Sequence, residues 1–251
     1  MSQGMLSGRI AVITGGASGI GLAAAQAFVA EGARVIVTGR RRHMLDEAVA
    51  QIGGDAVGIE GDVADPAHHD AVAEKVRRRF GALDVYMANA GINTITPSAS
   101  VSEAEYDAQF AVNTRGAFFG VQRLAPLMRA GGSIILTGSL ASEKVLEGHA
   151  VYAATKAALG AFARSWAVEL SPRRIRVNVL SPGPVETAIL DKMGLSPEAR
   201  AALDGSMARA IPLGRMGHAD ELGRAALFLA CDAASFVTGI NLRVDGGMAV
   251  L

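Results

Sequence analysis

Short apolar segments alternate with helix-length amphipathic segments along the whole chain. The apolar segments predict strands at Ile10–Thr14, Arg34–Thr38, Ala56–Glu60, Val85–Ala88, Ser133–Thr137, Arg176–Leu180 and Asn241–Val244. The segments between them predict helices at Ile20–Glu31, His43–Ile52, Pro66–Phe80, Glu103–Met128, Val151–Leu170 and Asp220–Ala230. Strands that alternate with helices and are apolar throughout predict a parallel sheet covered on both faces. The expected fold is α/β, a single domain (1–251) with a doubly wound sheet of seven parallel strands.

The alternation stops after Ser181-Pro182-Gly183-Pro184. From there to about Pro212 the pattern predicts no strand and only short helical pieces, which carry Met193 and Met207. A methionine-bearing insertion after a strand is typical of a lid or of the wall of a substrate pocket. We therefore expect such a lid at about 184–212, with an ordinary surface excursion as the alternative.

Composition narrows the class of protein. The chain has 251 residues, of which 50% are hydrophobic, a formal net charge of zero and a pI near 7.0. This balance does not favour a nucleic-acid or membrane partner. The single cysteine, Cys231, excludes an internal disulfide and a cysteine metal cage, and we expect no metal. Neither a signal peptide nor an apolar run of transmembrane length is visible, so a cytoplasmic protein is expected.

A glycine-rich segment, Thr14-Gly15-Gly16-Ala17-Ser18-Gly19-Ile20-Gly21, joins the first predicted strand to the first predicted helix. Glycine allows a tight turn and a close approach to a ligand, and the N-terminus of the helix offers free N–H groups to a pyrophosphate. A glycine loop alone is a weak signal. Its position between a strand and a helix in the first βαβ unit is the context that a dinucleotide site requires.

The end of the second predicted strand indicates which dinucleotide is bound. A site for NAD places a carboxylate near this point, where it accepts hydrogen bonds from the ribose 2′-hydroxyl. Here Gly39 is followed by Arg40, Arg41 and Arg42. A guanidinium binds a 2′-phosphate through paired hydrogen bonds, so NADP(H) is preferred and NAD(H) is the less favoured alternative. Arginines that merely solvate the start of a helix would be badly placed, because cations are unfavourable at a helix N-terminus.

Tyr152 and Lys156 are four residues apart and therefore lie on one face of the predicted helix. A cation beside a phenol favours the phenolate, so we expect Lys156 to lower the pKa of Tyr152 toward the range of a useful acid or base. The alternative is a helix with one packed aromatic side chain and one solvated lysine.

Several motifs follow one another along the chain: the glycine loop, Gly61-Asp62-Val63, Ala88-Asn89-Ala90-Gly91, Asn113, Ser139, Tyr152-x-x-x-Lys156, Ser181-Pro182-Gly183 with Thr187, and Val244-Asp245-Gly246-Gly247. As a set and in this order, over essentially the whole chain, they resemble the motifs of the short-chain dehydrogenase/reductase family, in its single-domain branch. Such a resemblance implies a Rossmann fold. Within the family, the glycine loop and the Gly39-Arg40-Arg41 segment look like those of NADP-dependent alcohol dehydrogenases or ketoreductases.

The resemblance also implies roles for individual residues. It assigns Asn113, Ser139, Tyr152 and Lys156 to catalysis, with Tyr152 as the general acid or base and Asn113 on a water that relays protons to Lys156. It implies cofactor contacts from Gly15, Ser18, Gly19, Ile20, Arg40, Arg41, Asp62, Val63, Asn89, Ala90, Gly91, Tyr152, Lys156, Pro182, Gly183, Val185 and Thr187.

The substrate is predicted only as a class. Position along the chain suggests a pocket lined by Ala141, Val145, Leu146, His149, Leu190, Met193 and Met207. Most of these side chains are apolar, which favours a fairly hydrophobic ketone, aldehyde or secondary alcohol. The alternatives are a 3-oxoacyl thioester reductase, a sugar dehydrogenase or a steroid dehydrogenase of the same family. A nucleotide sensor without catalytic activity is disfavoured, because all four catalytic residues are present.

Apolar residues lie on more than one face of the two longest predicted helices, including Phe118, Phe119, Val121, Phe162 and Trp166. A helix that is apolar all round needs partners on both sides. The family resemblance implies that these two helices pair across a twofold axis and that the C-terminal region makes a second contact between subunits, so a homotetramer is expected.

Overall fold

A computed structural model describes residues 4–186, 196, 200 and 205–251. Seven strands of the described chain form one parallel sheet: β1 (Ile10–Thr14), β2 (Arg34–Gly39), β3 (Val57–Glu60), β4 (Leu83–Ala88), β5 (Met128–Thr137), β6 (Arg176–Pro182) and β9 (Asn241–Val244). Their order in the sheet is β3-β2-β1-β4-β5-β6-β9. The predicted seven-stranded, doubly wound sheet is confirmed. Its strand order reverses between β1 and β4, and ligands of such sheets bind beside this point.

Helices cover both faces of the sheet. They are α1 (Gly19–Ala30), α2 (Arg42–Ile52), α3 (Pro66–Phe80), α4 (Glu103–Phe110), α5 (Gly116–Leu124), α6 (Ala150–Glu169) and α7 (Ala219–Ala230). Buried side chains of α3, α5 and α6 belong to one apolar cluster, and those of α1, α2 and α7 belong to another on the opposite face. The central strands are buried on both sides: every residue from Ile10 to Ile13 is 0% exposed. This double burial is why their sequences are apolar throughout rather than alternating.

The predicted helix Glu103–Met128 is one unbroken helical segment, but it is not a regular α-helix throughout and it ends at Leu127. Helix α4 begins with a capping box between Ser102 and Glu105, and a π-helical turn at Ala111–Arg115 separates it from α5. A 3₁₀ turn at Ala125–Leu127 then ends the helical segment, and β5 begins at Met128. Asn113, inside the π turn, bonds to backbone outside its own helix. A π turn of this kind commonly marks a functional site.

The prediction of no strand between Pro184 and Pro212 is also wrong. A two-residue strand, β7 (Val185–Glu186), pairs in parallel with β8 (Gly217–His218) in a separate small sheet. Strands this short carry too few side chains to show a hydrophobic pattern. Of the predicted lid, residues 187–195, 197–199 and 201–204 lie outside the described part of the chain, so the lid stays a prediction. None of the helices within the described residues has the length and apolar character needed to cross a membrane.

Candidate active site

A cavity of about 510 Å³ lies at the carboxyl ends of the strands, beside the point where the strand order reverses. Sixteen of the predicted cofactor-binding residues line it: Gly15, Ser18, Gly19, Ile20, Arg40, Arg41, Asp62, Val63, Asn89, Ala90, Gly91, Tyr152, Lys156, Pro182, Gly183 and Val185. The remaining one, Thr187, lies outside the described residues. The cavity thus brings together segments that are far apart in the sequence.

The glycine loop forms the floor of this cavity, and its glycines are sterically required. Gly15 has a φ of +64°, and a Cβ atom there would lie 2.9 Å from the Cα atom of Ala90. A Cβ atom at Gly21 would lie 2.4 Å from the carbonyl oxygen of Gly15. Ser18 precedes α1 without using its side chain as a cap, and the first turn of α1 contains no acidic residue. A close backbone approach next to a helix N-terminus fits the pyrophosphate of a dinucleotide.

Asn89 joins the loops that form the centre of the cavity. Its side-chain amide donates hydrogen bonds to the carbonyl oxygens of Thr14 (3.0 Å) and Gly15 (3.2 Å). Its side-chain oxygen accepts a hydrogen bond from the hydroxyl of Thr137 over 3.2 Å. The Thr14 hydroxyl in turn accepts the backbone N–H groups of Asn89 and Ala90, each over 3.0 Å. Asn89 therefore connects the ends of β1, β4 and β5 and holds the lining of the cavity rigid.

Arginines line the end of the cavity next to β2. The Nη1 atom of Arg40 is 3.9 Å from Oδ2 of Asp62, and the Arg40 side chain is largely exposed. Arg41 stands at the N-terminal boundary of α2. The third arginine of the run, Arg42, does not line the cavity and pairs instead with Asp46 at 3.0 Å. Two guanidinium groups are thus available to an anion at this end.

Three of the four predicted catalytic side chains meet at the other end of the cavity. The Ser139 hydroxyl lies close enough to the Tyr152 hydroxyl to lower the pKa of the phenol by hydrogen bonding. Ser139 Oγ accepts the backbone N–H of Ala141 over 3.1 Å. The Nζ atom of Lys156 lies 5.8 Å from the centre of the Tyr152 ring. It donates a hydrogen bond to the carbonyl oxygen of Thr137 over 2.8 Å. The arrangement places a hydroxyl pair beside a buried ammonium group.

Burial shifts the pKa values of both Tyr152 and Lys156. It raises the pKa of Tyr152 above its ordinary value, and the hydrogen bond with Ser139 opposes that change. Burial also lowers the pKa of Lys156 to about 8. The expectation that Lys156 lowers the pKa of Tyr152 is therefore wrong for this structure, because the ammonium points at the Thr137 carbonyl rather than at the phenol oxygen. Tyr152 consequently holds its proton at neutral pH.

The fourth predicted catalytic residue, Asn113, lies behind the cavity and does not line it. Its side-chain oxygen accepts the backbone N–H of Ile92 over 2.8 Å. Its amide donates to the Ile92 carbonyl oxygen (2.9 Å) and to the Thr155 hydroxyl (3.0 Å). Asn113 therefore ties the loop after β4 to helix α6. Its predicted role on a water relay stays a prediction.

The predicted substrate-pocket residues are more scattered. Ala141 is buried, Val145 is 94% exposed, and neither they nor Leu146 and His149 line the 510 Å³ cavity. The Nδ1 atom of His149 is 2.8 Å from the Glu147 carbonyl oxygen, and its ring is 6.2 Å from that of Tyr152. Leu190 and Met193 lie outside the described residues, and Met207 is half-buried in a helical turn.

Sequence reasoning missed several residues of the site. The cavity is also lined by Thr38, Met44, Asn93, Val112 and Thr137, and the hydroxyls of Thr14 and Thr155 hold its loops in place. Thr14 carried a usable signal, since it is a hydroxyl residue at the end of a strand immediately before the glycine loop. The others carry no such signal, because only the fold brings them to the cavity.

Comparison with known proteins agrees with this geometry. The family described as Enoyl-(Acyl carrier protein) reductase matches residues 15–249. The chain is 43% identical over 246 residues to "Oxidoreductase asL5" of Sarocladium schorii, covering 97% of each chain. It is 36% identical over 250 residues to "3-oxoacyl-[acyl-carrier-protein] reductase FabG" of Thermotoga maritima, covering 98% of this chain and 99% of that protein.

A solved structure, a short-chain dehydrogenase/reductase from Serratia marcescens BCRC 10948, superposes with a TM-score of 0.91 at 33% identity. It covers 98% of this chain and 99% of that one. Members of the family use nicotinamide dinucleotides, and the cavity fits such a group in the glycine cradle at Gly15 and Gly21. The chain belongs to the short-chain dehydrogenase/reductase family and is an oxidoreductase.

Proposed function

We propose that this protein transfers a hydride between NADP(H) and a ketone, aldehyde or secondary alcohol. The observation that carries the proposal is that one cavity is lined both by Arg40 and Arg41 and by Ser139, Tyr152 and Lys156. The first pair suits a 2′-phosphate, and the second group suits a carbonyl oxygen that must be protonated.

Residues of this chain fit the cofactor along its length. The glycine loop and the N-terminus of α1 would hold the pyrophosphate, and Arg40 and Arg41 the 2′-phosphate. Lys156 and Thr187 are assigned, by likeness to the family, to the nicotinamide ribose and to the carboxamide. When bound, the dinucleotide supplies or accepts the hydride.

The protein then has one proton to manage and one oxygen to orient. Negative charge develops on the carbonyl oxygen during reduction, and the hydroxyls of Ser139 and Tyr152 both donate hydrogen bonds to it. Tyr152 also donates the proton. Because burial raises the pKa of Tyr152, the side chain is protonated at neutral pH and ready to act as the acid of the reduction. Oxidation of an alcohol uses the same groups in reverse.

The proposed substrate is a fairly hydrophobic small molecule. Support comes from an apolar side chain on a loop that flanks the catalytic end of the cavity. Ile95 is 61% exposed and lies next to Gly148, and Gly148 shortly precedes Tyr152 in the sequence. The FabG relative is named for a 3-oxoacyl thioester, so that class belongs among the test substrates.

Two measurements test the proposal. Fluorescence titration with NADPH and NADH should show much tighter binding of NADPH, and equal affinities would contradict the assignment of the arginines. A panel of ketones, aldehydes and 3-oxoacyl thioesters, followed by loss of NADPH absorbance, should show turnover of hydrophobic ketones. A panel without any turnover, by a protein that binds NADPH, would contradict the catalytic assignment.

A homotetramer is also part of the proposal. Phe118 of α5 and Phe162 and Trp166 of α6 form an aromatic cluster, with ring centres 5.1 to 5.6 Å apart, and the two phenylalanines are only partly buried. Val168, also on α6, is 73% exposed. Apolar faces of this kind favour association with further copies of the chain. Light scattering at micromolar concentration should give the mass of a tetramer, whereas a monomer mass would contradict it.

A further inference from the structure

The loop that follows β3 forms one wall of the cavity through Gly61, Asp62 and Val63. Behind this loop lie two consecutive histidines of α3, His68 and His69. They are 6% and 1% exposed, and their ring centres are 5.7 Å apart. Neither side chain lines the cavity.

His69 holds the loop through a hydrogen bond. Its Nε2 atom is 2.9 Å from the backbone carbonyl oxygen of Val63. Since a carbonyl can only accept, Nε2 carries the proton. Space for the ring comes from α5, where a Cβ atom at Gly120 would lie 3.2 Å from Cε1 of His69. The bond is buried, so loss of the donor would leave the Val63 carbonyl without a partner.

His68 holds the same loop by packing. A Cβ atom at Gly61 would lie only 2.0 Å from Nδ1 of His68, so the imidazole rests directly against the backbone of the loop. Its Nε2 atom is buried and has no hydrogen-bond partner among the described residues. His68 therefore fixes the position of Gly61, and His69 fixes the position of Val63.

We infer that His68 and His69 are positioning residues for the cofactor: they hold the Gly61–Val63 wall in the shape that binds the adenosine end of the dinucleotide. The inference rests on the proposed function, because it concerns the same cavity. It goes beyond that function in assigning affinity for the cofactor to two residues that do not touch the cavity.

We expect the packing of the Gly61–Val63 wall to lose stability at acid pH, because both histidines resist protonation in the folded protein. Burial is the largest influence on both histidines and lowers the pKa of each. His68 also faces its neighbour His69 and the carboxylates of Asp62 and Asp65. His69 faces Asp65, Asp70 and, from α5, Arg123, and the hydroxyl of Tyr86 on β4 lies across Gly120 from it.

The direction of the pH dependence follows from the lowered pKa values of His68 and His69. An imidazole whose pKa is lowered by the packed loop binds a proton more readily when the loop opens. The packed wall is therefore fully stable above the ordinary histidine pKa of about 6.5 and loses stability as the pH falls below it. The affinity for the cofactor should fall as the packed wall loses stability.

The decisive experiment compares His69→Leu, which removes the donor, with His69→Gln, which keeps an N–H donor but cannot titrate. Fluorescence titration of each purified protein with NADPH at pH 7.5 gives the dissociation constant. We expect an increase of roughly tenfold for His69→Leu and of less than about threefold for His69→Gln. The kcat at saturating NADPH should stay within about threefold of the wild-type value in both, so that the loss appears in KM for NADPH.

Tyr86→Phe is the matched control, because it removes a buried hydroxyl next to His69 and leaves the bond to Val63 intact. It should bind NADPH with the wild-type dissociation constant. A second arm repeats the titration from pH 7.5 to pH 5 with the wild type and with the double variant His68→Leu/His69→Gln. The 2′-phosphate of NADPH titrates in the same range, and its contribution is common to both proteins. The wild type should weaken more steeply.

Equal affinities of His69→Leu and the wild type would overturn the inference, as would equal losses in His69→Leu and His69→Gln. Superimposable pH profiles of the wild type and the double variant would overturn it even if His69→Leu failed to fold. All of these outcomes leave the proposed function standing. A wild-type protein that binds neither NADPH nor NADH would instead remove the proposed function and this inference together.

Discussion

The ammonium group of Lys156 is buried and donates a hydrogen bond to the backbone carbonyl of Thr137 over 2.8 Å. A carbonyl dipole compensates a buried charge less well than a carboxylate does, and within the described residues no carboxylate influences the pKa of this lysine. The site therefore keeps a cation in a position that opposes folding. Such a conflict between stability and function is common at active sites.

Lys156→Met should make the cofactor-free protein more stable at neutral pH. The pKa of Lys156 is about 8 in the folded protein, against an ordinary value of 10.5. The unfolded chain therefore binds more protons between these values, and the wild-type protein gains stability as the pH rises through this range. Urea unfolding at pH 7 should favour the variant by roughly 2 kcal/mol, and the difference should shrink by pH 10. A variant less stable at pH 7, or a difference independent of pH, would contradict the burial argument. Lys156→Met should lose turnover whatever the unfolding measurement shows.

Tyr152→Phe should bind NADPH normally and lose at least about 10³-fold in kcat, because the proton donor is gone while the cavity keeps its shape. Steady-state assays with the best ketone from the panel measure the loss. The matched control is Tyr106→Phe, which removes the phenol hydroxyl of an exposed tyrosine on α4 and should keep full activity. Near-wild-type turnover by Tyr152→Phe would remove Tyr152 from the mechanism.

Arg40→Ala and Arg41→Ala should each weaken NADPH binding by roughly 10- to 100-fold and leave NADH binding almost unchanged, since each removes a charge-assisted bond to the 2′-phosphate. The dissociation constants for both dinucleotides are the measurement. Arg78→Ala is the control, because Arg78 is exposed on α3 and pairs with Glu74 away from the cavity. Unchanged NADPH affinity in both cavity variants would contradict the preference for NADP(H).

Gly21→Ala should weaken the binding of NADPH and of NADH alike. The new methyl group would lie 2.4 Å from the Gly15 carbonyl oxygen and 2.6 Å from Nδ2 of Asn89, so the glycine loop would have to move. Overpacking of this size costs about 1–3 kcal/mol, which corresponds to a loss of affinity of roughly 5- to 150-fold if the glycine loop takes up the whole cost. In Gly160→Ala the new methyl group meets only the end of Arg164, at 3.5 Å, and binding should be kept. Equal binding by both variants would show that the loop can yield.

The centre of the sheet was predictable because β1, β4 and β6 are buried on both faces and so show as apolar runs. The prediction for β5 began at Ser133 rather than Met128, because Arg129 and the two glycines Gly131 and Gly132 interrupt that run. The register between β4 and β5 is also irregular near this point. A strand that carries exposed polar residues at its entry cannot be recognised from hydrophobicity alone.

The candidate site was predictable where spacing carries the chemistry, as in Tyr152 and Lys156 on one turn of a helix. It was not predictable where a side chain bonds to backbone. His69 looks like any polar residue of a charged helix, and nothing in its neighbours shows that the Val63 carbonyl lies within reach. The direction of the Lys156 ammonium was missed for the same reason, because its partner is the backbone of Thr137.

The π turn at Ala111–Arg115 makes the site sensitive to chain length as well as to side chains. Such a turn accommodates a residue that a regular helix would not. Deleting one residue here would let α4 and α5 join as one regular α-helix, and the residues of the turn would be drawn into regular helical positions. The amide of Asn113 would then turn away from Ile92 and Thr155. In an alignment of related sequences, a gap at this turn would therefore signal a changed active site even where every catalytic letter is kept.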